Sequence, residues 1–216
     1  KFAMKSICKN LCLLSVLLLN PLASAADDYE VVSPNGNISA LLHFEEGRMS
    51  YSVKKGDKML VERSPLGLTT NQADFSAGGL EYVSHNVAAL DETYTLTTGK
   101  RRECRNNFSQ LTFTVRHVKA AWNLSVLFRL YDDGFAFRYV LPKKGSLNRI
   151  QITDEASRIK VKGFKYCLGC RFNHPDDYYH PNIPYESNYG RYVWTDLQGH
   201  GHDARLNAPA LVSAGL

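Results

Sequence analysis

The stretch from Leu124 to Tyr139, Leu-Ser-Val-Leu-Phe-Arg-Leu-Tyr-Asp-Asp-Gly-Phe-Ala-Phe-Arg-Tyr, constrains the fold more than any other part of the chain. In its first half Leu124, Val126, Phe128 and Leu130 share one face while Ser125, Leu127, Arg129 and Tyr131 share the other, the period-two pattern of a pleated strand. In its second half Phe135, Phe137 and Tyr139 oppose Ala136, Arg138 and Val140. Asp133-Gly134 between the two runs is a strong hairpin signal, because glycine takes the positive φ of a tight turn without a Cβ clash. The expectation is a central β-hairpin whose apolar and aromatic face belongs in a core.

The same alternation recurs through the chain. Ile38 to Phe44, Met49 to Val53, Lys58 to Val61, Leu80 to Val87, Glu92 to Leu96 and Gln110 to Val118 read as strands. Turn residues separate them at Ser33-Pro34-Asn35-Gly36, Glu46-Gly47, Lys55-Gly56-Asp57 and Gly78-Gly79. Pro65 in Ser64-Pro65-Leu66-Gly67-Leu68 has no amide to donate, fits an edge or a bend, and is expected to break the ladder there. Arg149 to Val161 reads as strand, loop, strand. No helical period of useful length appears, and many short strands at regular spacing indicate a sandwich or barrel. With 216 residues, 44% hydrophobic and 11% aromatic, the chain can bury the core of one large domain, which excludes disorder throughout. The expected fold class is all-β, a large antiparallel β-sandwich with a long C-terminal loop region.

Residues 1–25 carry a different signature. Lys5 and Lys9 precede the apolar run Leu11 to Leu19, and Ala23-Ser24-Ala25-Ala26 supplies the small residues of a cleavage site, so a secretory signal peptide cut after Ala25 is expected. The run is short for a membrane span. The mature chain is expected to be secreted or periplasmic, with no membrane association. Cleavage leaves Cys104, Cys167 and Cys170, an odd count that does not indicate a disulfide framework. Cys167-Leu168-Gly169-Cys170 has the spacing of half a zinc site, with His174 and His180 nearby, and the plainer readings are a vicinal disulfide-like loop or two buried thiols. The net charge of +5 is scattered. Lys100-Arg101-Arg102 is its one cluster and reads as a solvated loop, and basic and aromatic residues do not interleave as nucleic-acid binding requires.

After Phe164 prolines and polar aromatics accumulate: Asp176-Asp177-Tyr178-Tyr179, then Tyr185-Glu186-Ser187-Asn188-Tyr189 and Trp194. On a surface excursion these are the residue types of a sugar or cation site, and also of an ordinary connector. His200, His202 and Asp203 could ligate a metal or lie in a solvated linker. No closing strand or helix signal is legible before Leu216.

Taken in order, Ser33-Pro34-Asn35-Gly36, Ser64-Pro65-Leu66-Gly67-Leu68, Gly99-Lys100, Arg105-Asn106, Phe128-Arg129, Tyr131-Asp132-Asp133-Gly134 and Ala136-Phe137-Arg138-Tyr139 resemble the amino-terminal domain of glycoside hydrolase family 97, over roughly Tyr29 to Ser157. The resemblance implies a β-sandwich over residues 26–196, packed in the family against a (β/α)₈ barrel. Residues 197–216 would then be a linker or the start of that barrel. It also implies a bacterial exo-acting α-glucosidase or α-galactosidase that depends on calcium, with carbohydrate as the partner. The catalytic carboxylates of the family sit on the barrel, so this chain is expected to be inactive alone and to contain no catalytic residue. The family's amino-terminal domain lends a calcium-binding glutamate, and Glu186 is the matching position. One loop carboxylate would need oxygens from elsewhere, since calcium takes six to eight. The alternative from a different class is a stand-alone carbohydrate-binding module that stacks sugars on Trp194, Tyr178, Tyr179 and Tyr185.

Overall fold

A computed structural model describes residues 27–146, 149–171, 190–193 and 206–214, the strand segments beyond Tyr166 by their backbones. All the regular structure within them is β: β1 (Asp27–Val32), β2 (Ile38–Glu45), β3 (Arg48–Lys55), β4 (Lys58–Leu66), β5 (Leu68–Thr70), β6 (Leu80–Thr95), β7 (Glu103–His117), β8 (Trp122–Leu130), β9 (Phe135–Val140), β10 (Ile152–Glu155), β11 (Lys160–Val161), β12 (Phe164–Arg171), β13 (Gly190–Val193) and β14 (Leu206–Ala214). One antiparallel sheet runs β1-β2-β3-β4-β11 and a second runs β6-β7-β8-β9. β5 pairs with β10, and β12 lies between β13 and β14.

The two larger sheets face each other across one core. The first contributes Val31, Ala40, Leu42, Met49, Tyr51 and Val53, and the second Leu111, Phe113, Val115, Trp122, Leu124, Val126, Phe128 and Leu130. Along β8 buried and half-buried positions alternate without exception, so every second side chain enters the sandwich as the pattern predicts. Phe137 packs against both Phe128 and Tyr51, at 5.4 and 5.5 Å between ring centroids, and joins the hairpin to the opposite sheet. The all-β sandwich is therefore what the chain forms.

Four local expectations change. The hairpin turn is centred on Asp132-Asp133, one residue earlier than Asp133-Gly134. Tyr131 donates its amide to the Gly134 carbonyl at 2.8 Å, Leu130 pairs with Phe135, and Gly134 does not take a positive φ. Pro65 does not break the ladder: β4 runs through it to Leu66 with Ser50 as its partner. On its other side β4 pairs with β11 only at Val61 and Glu62, so the missing amide leaves no pairing strand unserved. The two short strands expected between Leu80 and Leu96 are one sixteen-residue strand, β6, paired in register with β7 from Ser84 to Thr95. Finally, the C-terminal region contains strands where loop was expected. β14 pairs with β12 from Phe164↔Ala214 to Arg171↔Leu206, a strand with no clear signal in Leu-Asn-Ala-Pro-Ala-Leu-Val-Ser-Ala.

Candidate functional site

The residues singled out for sugar or metal binding, Asp176, Asp177, Tyr178, Tyr179, Tyr185, Glu186, Trp194, His174, His180, His200, His202 and Asp203, lie outside the described residues. The frame that flanks Glu186 is described. β12 ends at Arg171, β13 begins at Gly190, and Gly169 pairs with Gly190. The connection that carries Glu186 therefore leaves and rejoins the small sheet at the same end. Cys167 and Cys170 both belong to β12. Cys104 is unpaired and half-buried on β7. Lys100-Arg101-Arg102 is exposed in the β6–β7 connection, where Leu96 donates its amide to the Arg102 carbonyl at 2.8 Å.

Four of the motifs that carry the family resemblance meet in space in two pairs. Asp132 accepts the Asn35 amide at 2.9 Å, which ties the β8–β9 turn to the β1–β2 turn across 97 residues of sequence. Ser33 and Asn35 order their own turn: Ser33 Oγ donates to Asn35 Oδ1 at 2.9 Å and accepts the Ile38 amide at 3.0 Å. The Gly67 amide donates to the Tyr139 hydroxyl at 2.8 Å, and that hydroxyl lies 2.5 Å from Ser157 Oγ. A Cβ on Gly67 would stand 2.5 Å from that of Ser76, so only glycine lets these segments approach so closely. Tyr51 donates its hydroxyl to the Arg158 carbonyl at 3.0 Å. These contacts pin the segment after β10 onto both sheets.

Electrostatics give these groups a structural part. Burial pushes the Tyr51 phenol up to about 12, with the nearby Tyr139 adding to it, and burial likewise raises Tyr139. Both phenols stay protonated through the neutral range and serve as hydrogen-bonding groups, not as bases. Asp74 is held below the usual carboxylate range, mainly by the Ser76 hydroxyl and also by the Ser76 amide and Thr69. Asp91 is lowered by its two-pronged contact with Arg105 at 2.7 and 2.6 Å on the exposed ribbon.

An open groove of about 490 Å³ lies between β9, the edge of one sheet, and β4 and β11 at the edge of the other. Leu60, Val61, Phe135, Ala136, Phe137, Ile159 and Val161 line it. Glycoside hydrolysis needs two positioned carboxyl groups, and this lining has no group that can move a proton. Its chemistry is that of apolar contact. Sequence reading placed Phe135 and Phe137 on a core face and did not anticipate the groove, because Ile159 and Val161 reach it from another sheet.

Residues 31–214 match the family model described as Glycosyl-hydrolase 97 N-terminal. A protein described as a probable retaining alpha-galactosidase from Streptomyces bingchenggensis is 34% identical over 97 residues, which cover 45% of this chain and 15% of that protein. The crystal structure of a beta-arabinopyranosidase superposes with a TM-score of 0.71 at 25% identity, over 82% of this chain and 28% of that one. A glycoside hydrolase family 97 enzyme from Pseudoalteromonas sp. strain K8, solved in complex with panose, superposes with a TM-score of 0.64 at 24% identity, over 76% of this chain and 24% of that one. The chain thus spans under a third of the length of each of these proteins.

Proposed function

The chain belongs to the glycosyl-hydrolase 97 N-terminal family, and from that premise we propose that it is the non-catalytic β-sandwich of an exported, calcium-dependent α-glycosidase that cleaves α-glucosides or α-galactosides. The observation that carries this reading is the groove between the sheet edges, which is lined wholly by apolar side chains in a fold that makes up only a minor part of the enzymes it resembles. Catalytic carboxylates would come from a barrel in the same polypeptide. The sandwich would support that barrel and contribute Glu186 to a calcium ion. Calcium is a hard cation that takes oxygen ligands, and a glutamate carboxylate suits it. The pairing of Gly169 with Gly190 supports this role, because it holds together both ends of the connection that carries Glu186. Residues 1–25 would direct export, and the mature exported protein would begin at Ala26.

The test is hydrolysis of aryl α-glucosides and α-galactosides by the full-length protein, with and without a calcium chelator. Activity on one of the two is expected, lost on chelation and restored by calcium. Glu186→Ala should raise the calcium concentration needed for half activity by at least about tenfold, the lower bound for disturbing a metal's surroundings. This chain by itself should neither hydrolyse nor retain oligosaccharides. Hydrolysis by the chain alone would overturn the proposal, and tight oligosaccharide binding by it would replace the scaffold reading with that of a carbohydrate-binding module.

A further inference from the structure

β6 is the outermost strand of its sheet, and among the described residues no strand pairs with its outer edge, although the Leu80 amide at its start donates to the Gly47 carbonyl at 3.2 Å. Natural sheets protect such edges with lysine, proline or very short strands, because unpaired amides and carbonyls are a template for another strand. Between Leu80 and Thr95 there is no Lys, Arg, Pro or Gly. Val87, Leu90 and Tyr94 are instead 52%, 39% and 48% exposed. The one irregularity, a register shift between Tyr82 and Ser84, leaves the rest of the strand regular.

We propose that β6 pairs antiparallel with β6 of a second copy of this chain, about a two-fold axis through Ala88, so that the two sheets join into one. This goes beyond the glycosidase reading and does not depend on it. An axis perpendicular to the sheet keeps both core faces on the same side and requires some residue to face its own copy. With Ala88 at the axis, His85 lies opposite the second copy's Asp91, Ser84 opposite Glu92, Asn86 opposite Leu90 and Val87 opposite Ala89. Asp91 and Glu92 then each meet a hydrogen-bond donor, and the two apolar positions nearest the axis meet each other. Centring on Ala89 would set Val87 against Asp91, and centring on Val87 would set Tyr82 against Glu92. His85 can serve this contact. Its Nδ1 bonds the Tyr82 hydroxyl at 2.8 Å, and its Nε2 has no partner among the described residues. Asp91 is held through both carboxylate oxygens by Arg105 of β7, on the same face of the strand as His85, and its remaining lone pairs can accept the second copy's His85.

The experiment uses the full-length protein and two single substitutions under mild oxidation, read on non-reducing gels beside sedimentation of the unsubstituted protein. Ala88→Cys should trap a covalent dimer, because residues opposed across antiparallel strands sit within the ~7 Å Cα limit of a disulfide. Asn86→Cys should not, since two copies of residue 86 would be four residues out of register, more than about 10 Å apart. The unsubstituted protein should sediment as a dimer at micromolar concentration. His85→Asp, on an exposed side chain, should raise the dissociation constant about tenfold by opposing like charges twice. A monomer at every concentration, with no trapping of Ala88→Cys, overturns the proposal. Equal trapping of Asn86→Cys overturns the register and with it the two-fold at Ala88.

Discussion

Tyr51 is fully buried between the sheets, packed against Phe128 and Phe137, with its hydroxyl reaching the Arg158 carbonyl. Its phenol is raised from 10.0 to about 12, so folding favours the protonated form. The stability tied to that proton is complete below the ordinary value of 10.0 and is lost as pH rises from there through about 12. The difference between those values corresponds to at most ~3 kcal/mol. Urea unfolding followed across that window should show stability falling in the unsubstituted protein. The fall should be smaller in Tyr51→Phe, which has no phenol to ionise. An identical pH dependence in the two proteins would mean that the Tyr51 proton is not linked to folding. Tyr139 is raised in the same direction and accounts for part of any fall that persists in Tyr51→Phe. Tyr51 stood in the sequence as one member of the run Met49 to Val53, and its burial follows from period two. Its partner Arg158, 107 residues on, has no counterpart in any local pattern.

At the scale of elements, alternation was enough to read β2, β3, β8 and β9, because in each the side chains of one face are more buried than those of the other and a shift of one residue would exchange the two. Turn centres and strand ends were less legible. Asp-Gly suggested a positive φ at Gly134, yet tertiary contact decides otherwise: Asp132 is drawn to the Asn35 amide and the turn forms around Asp132-Asp133. β6 is exposed on both faces beyond Leu80, so no buried stripe marked it as one strand. Its continuity comes from pairing with β7. The two kinds of glycine give a direct check. Gly134→Ala should change stability by under ~0.5 kcal/mol or raise it slightly, since Gly134 lacks a positive φ and has open space where a Cβ would stand. Gly47→Ala should lower stability by more than ~1 kcal/mol, because Gly47 has φ 68° and a Cβ there would lie 2.8 Å from the Leu80 amide nitrogen. Thermal unfolding of the two variants measures both, and a Gly134→Ala protein that loses as much as Gly47→Ala would return the turn to the Asp133-Gly134 centre.

For the whole molecule, the family motifs were legible as a signature but not as contacts, since Asn35 and Asp132, or Gly67 and Tyr139, are brought together only by the packing of two sheets. The candidate site was legible only as residue types around Glu186, and what the structure adds is the strand frame on either side of it. That frame separates two ways in which calcium could act. Among the described residues no group of three or more metal-binding side chains gathers, and the space between the sheets is filled by apolar side chains. Calcium bound through Glu186 should therefore order the edge at β13 while leaving the sandwich core indifferent to it. Hydrogen exchange on the full-length protein, before and after chelation, reads both at once. Amides of Trp122–Leu130 in β8 should keep their protection, and those of Gly190–Val193 in β13, close in sequence to Glu186, should lose it by about the tenfold or more that follows from a kcal/mol or two of local stabilisation. Loss of protection throughout β8 would make the ion a structural element of the core. Unchanged exchange in β13 would mean that Glu186 does not hold the ion, even where the activity of the complete enzyme requires calcium.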